Sequence, residues 1–239
     1  MTGVDAVGLD GVDGVLPESV LFGRYFRDVD RCRSLMKSTG AVASGSAVLH
    51  ALDSSVRVGS SSPWAPNDLD VFIARRVLRR GALVDWHEYF VGEGYGLCDP
   101  VGASGYAGAE VIKYKHVESG RRVDFVIVSS EPLVYIVREF WSTHLMNFAT
   151  WDGMYCLFPE SCLLRKQMCF VRCRSGGELR AYEKYVERGF GRCDMDLSLS
   201  LREFESERFV GDELTHRVVF SGVEVEGRVP KSLRSIRFV

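Results

Sequence analysis

The stretch PNDLDVFI, Pro66–Ile73, decides the reading of this chain. Two aspartates, Asp68 and Asp70, bracket Leu69, and an apolar run follows that reads as a strand over Leu69–Ala74. Successive side chains of a strand point to opposite faces, so Asp68 and Asp70 share a face and Leu69 takes the other. Like charges on one face repel, and burying either is costly without a positive partner. Three arrangements suit such a pair: a bound cation, a basic cluster, or solvent exposure at a strand end.

Asp124 raises the same question further along. It sits inside Val123–Val128, VDFVIV, where its neighbours are all apolar. An unpaired carboxylate there would cost roughly several kcal/mol or stay protonated. Pairing with Arg121, Arg122 or Lys113 is one solution. If this strand lies beside Leu69–Ala74, the three carboxylates converge instead, and hard oxygen ligands of that kind suit Mg²⁺ with phosphate and water.

A third feature precedes both. The short apolar strand Ala41–Val42–Ala43 delivers Ser44, Gly45 and Ser46 to a helix over Ala47–Leu52, with Ser46 near its N-cap. Glycine lets a phosphate approach the backbone. A helix N-terminus offers unpaired N–H groups and partial positive charge. An ordinary helix cap uses the same residues.

Around these features the order is α-β-α-β-α-β-β-α, then mostly helix. A helix spans Glu18–Lys37 and ends at Thr39-Gly40. A Ser/Gly/Pro loop, RVGSSSPWAPN, follows the second helix, and Leu83–Phe90 reads as a third. Gly92–Gly108 is glycine-rich and reads as irregular. Glu110–Val117 and Arg122–Val128 form a hairpin around Glu118-Ser119-Gly120. Pro132 opens a helix to Phe140. Met154–Phe158 reads as a strand, Ser161–Val171 and Glu178–Arg188 as helices, and His216–Phe220 as a β-like piece. The fold class expected is α+β: a small mixed sheet flanked by helices, with a mostly helical C-terminal extension. The expected units are a mobile N-terminus (1–15), a core (16–175), and a helix with an extended tail (176–239).

Composition limits the rest. The 239 residues are 46% hydrophobic and 26% charged, with a formal net charge of -2, so no extended nucleic-acid track is implied. No run of about 18 uncharged apolar residues exists and no basic leader precedes an apolar stretch, so neither a membrane span nor a secretory signal is expected. Seven cysteines include no CxxC pair, and Cys156, Cys162, Cys169 and Cys173 fit no common zinc spacing. Buried or reduced thiols in an intracellular, cytoplasmic protein follow.

Gly45-Ser46, then Asp68-Leu69-Asp70 on a strand, then Asp124 on a later strand resembles the nucleotidyltransferase superfamily with the DNA polymerase beta-like fold. The resemblance covers residues 39–130. ASGSAVLHAL, NDLDVFI, RRVDFVIV and STHLMNFATWDGMYCLFPE also look like uncharacterised fungal nucleotidyltransferase-like proteins. The interval between Ser46 and Asp68 is longer than the family's, and the excess fits the loop containing RVGSSSPWAP. The resemblance implies transfer of a nucleoside monophosphate from an NTP to an acceptor, with release of pyrophosphate. It implies that Asp68, Asp70 and Asp124 are catalytic and hold Mg²⁺ or Mn²⁺, and that Gly45 and Ser46, supported by Ser44, bind nucleotide phosphates. The acceptor stays open: a small molecule, a protein or an RNA end. A non-catalytic module of the same fold, binding a nucleotide or a protein, is the alternative. An unrelated α+β domain with its aspartates separately paired is another.

Other residues are weaker candidates. Lys113, Lys115, Arg121 and Arg122 suit phosphate or an exposed hairpin, and Trp64 suits base stacking or packing. His50, His87, His116 and His144 are scattered and read as structural or solvated.

Overall fold

Local signals break the chain more finely than apolar spacing suggests. In a computed structural model, the described residues are 16–56, 64–98, 106–171, 177–193, 202–205, 208–223 and 237–238. The N-terminus expected to be mobile and residues 57–63 of the long loop lie outside them. The single helix expected over Glu18–Lys37 is two. Pro17 opens α1 (Pro17–Leu21), whereas α2 (Val29–Thr39) starts afresh because the Asp28 side chain accepts the Arg31 N–H. Gly40, left-handed at φ 67°, ends α2.

Strand β1 (Val42–Ser44) then leads through Gly45 into α3 (Ser46–Val56). Strand β2 (Asp68–Ala74) follows, then a helical run from α4 (Arg75–Val77) through a π-helical turn to α5 (Leu83–Gly92). Next come β3 (Tyr95–Cys98), β4 (Glu110–His116), β5 (Arg122–Val128) and α6 (Pro132–Glu139). β6 (Asn147–Thr150) and β7 (Gly153–Cys156) form a hairpin. After them come β8 (Gln167–Met168), α7 (Gly177–Glu187), β9 (Gly191–Arg192), α8 (Arg202–Glu205), β10 (Arg208–Phe209), β11 (His216–Val219) and β12 (Arg237–Phe238).

The main sheet is mixed, with eight strands in the order β11-β7-β6-β1-β2-β5-β4-β3. Only its β2–β5 pair is parallel. It is larger than the small sheet expected, for three reasons. Part of the glycine-rich stretch 92–108 pairs as β3 against β4. The β6–β7 hairpin turns tightly at Trp151-Asp152. The C-terminal extension, expected to be mostly helical, sends β11 back onto β7. The helix expected over Ser161–Val171 is instead a π-helical turn (Glu160–Leu164) followed by β8, with Lys166 breaking the run at φ 53°.

Both faces of the central strands are covered, which is why VDFVIV is nearly all apolar. Leu69, Val71, Ile73, Val123, Phe125 and Ile127 pack with α1–α3 and α5 on one side. Phe72, Val126 and Val128 pack with α6 on the other. Buried Glu18 on α1 accepts the Ser221 backbone N–H at 3.2 Å and lies 3.6 Å from Arg33, fastening α1 to the turn after β11. Among the described residues, no helix is long and apolar enough to cross a membrane.

Candidate functional site

The sheet gathers the sequence candidates at one end of its central strands. β1 is antiparallel to β2, so the end of β1 meets the beginning of β2, with Ser44 opposite Asp70. β5 is parallel to β2, so its beginning lies at the same end, with Asp124 opposite Asp70 and Arg122 opposite Asp68. Register partners point to the same face, and neighbouring strands lie about 4.8 Å apart. The aspartates therefore meet beside the turn that opens α3.

Gly45 makes that approach possible. It is left-handed at φ 77°, and a Cβ there would lie 2.3 Å from Oδ2 of Asp70. The Ser46 hydroxyl donates a long 3.5 Å bond to Oδ1 of Asp68. Ser44 is engaged structurally, for its buried hydroxyl donates to the Asn147 carbonyl at 2.6 Å and braces β1 on β6.

Asp70 is buried, and its Oδ1 accepts the Tyr106 hydroxyl at 2.6 Å. Burial first, then the charge of Asp68, pushes its carboxyl up to about 8; Asp124 adds to the rise and the Tyr106 bond opposes it. Asp124 is also pushed up, mainly by burial, with Asp68 adding and its cross-strand neighbour Lys113 opposing. Burial, and then Asp70, raises the Tyr106 phenol, which keeps it a neutral donor. Asp68 is partly exposed and has Arg122 Nη2 at 3.7 Å.

Two cations reach the site that its local sequence does not announce. Lys184, near the end of α7, and Arg188, just beyond it, both feel the charge of Asp68, and Lys184 that of Asp70 as well. Burial, the largest influence, holds the proton affinity of each below its usual value. Their only sequence signal is an i,i+4 spacing at the end of a helix more than a hundred residues from Asp70. Trp64 is not presented openly for stacking. The Arg188 guanidinium lies 4.2 Å from its ring centroid and the His50 ring meets it edge-on at 5.0 Å. Tyr106 is likewise unmarked in the sequence, since it lies in a glycine-rich stretch.

The other candidates divide. Arg121 donates to the Arg24 carbonyl, and Lys115 is exposed opposite Arg122. The histidines are held within the scaffold: His87 with the Tyr114 hydroxyl, His116 accepting the Glu118 and Ser119 N–H groups, and His144 buried against Ser142.

Among the described residues, no three His, Cys, Asp or Glu side chains stand together as a ligand set for a metal ion. The donor chemistry nevertheless fits a hard divalent cation: three carboxylates at one end of the central strands, where burial first, and then Asp68 and Asp124, drive Asp70 toward protonation. One of those oxygens, Oδ1 of Asp70, is engaged by the Tyr106 hydroxyl. Comparison with protein-family models and with curated proteins finds no match.

Proposed function

We propose that the chain is a divalent-cation-dependent nucleotidyltransferase, with Asp68, Asp70 and Asp124 as its catalytic carboxylates. The observation that carries this reading is the parallel β2–β5 register, which sets Asp70 across from Asp124 beside the Gly45 turn. An NTP lies with its phosphates against the Gly45–Ser46 backbone at the start of α3, where N–H groups and the helix dipole favour anions. Lys184 and Arg188, which feel the charge of Asp68, neutralise further phosphate charge. Held by the three aspartates, Mg²⁺ or Mn²⁺ supplies charge neutralisation and Lewis-acid activation. Asp124, with its raised proton affinity, takes the proton of the acceptor hydroxyl. The acceptor oxygen bonds to the α-phosphorus as the bond to pyrophosphate breaks.

The test is transfer of label from each α-³²P-labelled NTP, with Mg²⁺ or Mn²⁺ and a cell extract as acceptor source. Label transferred by the wild type and lost in Asp68→Asn/Asp70→Asn supports the reading. Absence of transfer with all four NTPs overturns it. One observation favours a second reading, a non-catalytic module binding a nucleotide or a protein: the Tyr106 hydroxyl occupies Oδ1 of Asp70, and the aspartates do not form a closed ligand set. Metal-dependent NTP binding without transfer selects that module.

A further inference from the structure

Strands β8 and β9 are parallel and joined through α7, the helix that leads Lys184 and Arg188 to the aspartates. Their register pairs Gln167 with Gly191 and Met168 with Arg192. The Cys193 N–H donates to the Met168 carbonyl at 3.0 Å, the bond that the parallel Met168–Arg192 pair calls for. Carried one residue further, the same register sets Cys169 across from Cys193. Their thiols are hydrogen-bonded to each other, and both residues are buried, at 5% and 8% exposure. Neighbouring strands place Cα atoms within the 4.4–6.8 Å range that a disulfide spans.

We propose that Cys169 and Cys193 are a disulfide-forming pair whose oxidation clamps α7 over the aspartate site. The bond closes the chain from 169 to 193 at the C-terminal ends of β8 and β9, with α7 inside the closed loop. The cross-link needs no assumption about catalysis; its effect on the site rests on the function proposed above. Oxidised glutathione, a small disulfide, serves as the oxidant. The thiolate of Cys193, the more exposed of the two, attacks it and releases one glutathione thiol. Cys169 then attacks the Cys193 sulfur and releases the second. Two protein S–H bonds are lost, one S–S bond forms, and the electrons and protons end on two molecules of glutathione. Burial, then the bond to Cys193, pushes the Cys169 thiol up, so closure is slow near neutral pH and accelerates as pH rises.

The sequence permits a clean assay. Trypsin separates Cys169 in QMCFVR (167–172), Cys173 in CR (173–174) and Cys193 in CDMDLSLSLR (193–202). The reduced full-length protein is incubated with oxidised glutathione in native buffer without nucleotide, quenched with iodoacetamide and mapped by mass spectrometry. The expected product joins 167–172 to 193–202. It forms equally in Cys173→Ser and is absent in Cys193→Ser. Cys156 and Cys162, also in thiol contact but fully buried, remain alkylatable only after unfolding. Hydrogen exchange across 177–188 is expected to slow at least about tenfold on oxidation and to recover with dithiothreitol, as expected when a cross-link suppresses local opening. Failure of the 167–172/193–202 link to form in native buffer, or its formation only in urea, overturns the pairing. Formation without slower exchange overturns the clamp. Neither readout involves nucleotidyl transfer, so both stand apart from the outcome of the transfer assay.

Discussion

A β-carbon on Gly45 would lie 2.3 Å from Oδ2 of Asp70. The turn and the carboxylate are thus one fitted unit. Gly45→Ala must adopt φ 77° and push Asp70 aside. A left-handed non-glycine residue costs about 1–2 kcal/mol. The expected outcome is a urea midpoint lowered by at least that amount and loss of NTP binding. A variant with unchanged midpoint and binding would show that Asp70 does not need this turn.

Asp70 also makes a pH prediction. Its folded-state carboxyl titrates at about 8, above the unfolded value near 3.9. Between those values the folded state holds a proton that the unfolded state has lost. Stability from this group therefore falls as pH rises from about 4 to 8 and levels off above. Asp70→Asn is expected to flatten that decline in urea titrations at pH 5, 6, 7 and 8. Added Mn²⁺ should flatten it in the wild type, because a bound cation favours the carboxylate. Identical slopes for wild type and variant would sink the assignment.

His144 opposes that trend. It is fully buried, and burial, then the Arg188 charge, lowers its imidazole to about 3. Its contribution is complete above the unfolded value near 6.5 and is lost as pH falls toward 3. His144→Phe is expected to reduce acid sensitivity between pH 6 and 4, read by the same unfolding series. Unaltered acid unfolding would place the sensitivity elsewhere.

Lys184→Ala and Arg188→Ala test the contribution of α7 and the residue just beyond it to the site. Each removes a cation that feels Asp68. Loss of one charge-assisted phosphate contact corresponds to a dissociation constant roughly tenfold higher. Calorimetric titration with a non-hydrolysable NTP reads this directly, and affinity unchanged in both variants would remove α7 from the nucleotide site.

Arg208 provides a stability test away from the site. Its side chain is fully buried, donating to the Leu157 carbonyl at 2.7 Å and to Asp212 at 2.9 Å. Arg208→Met leaves Asp212 without its main partner and is expected to cost about 3–5 kcal/mol. A loss below about 1 kcal/mol in urea unfolding, the size of an exposed pair, would contradict that account.

The parts of the molecule legible in the sequence were those with a local anomaly. VDFVIV and DLDVFIA each carry apolar runs interrupted by acid, and the β2–β5 pairing brings those interruptions together. Gly40 and Gly45 mark the end of one helix and the beginning of another through backbone conformation alone. β3 was hidden because YGLC is short, follows Gly94 and contains Gly96, and its strand character comes from pairing with β4. Lys184, Arg188 and Tyr106 were hidden for a related reason. Each is an ordinary residue locally and acquires its role only when distant chain segments meet Asp68 and Asp70.

The fastening of Glu18 to Ser221, with β11 laid on β7, has a consequence for dissecting the protein. A piece ending at residue 176 would bare the β7 edge and leave Glu18 without its Ser221 partner. Two pieces divided between residues 194 and 201 should fold only on mixing, by fragment complementation, with the later piece serving as the missing edge of the sheet.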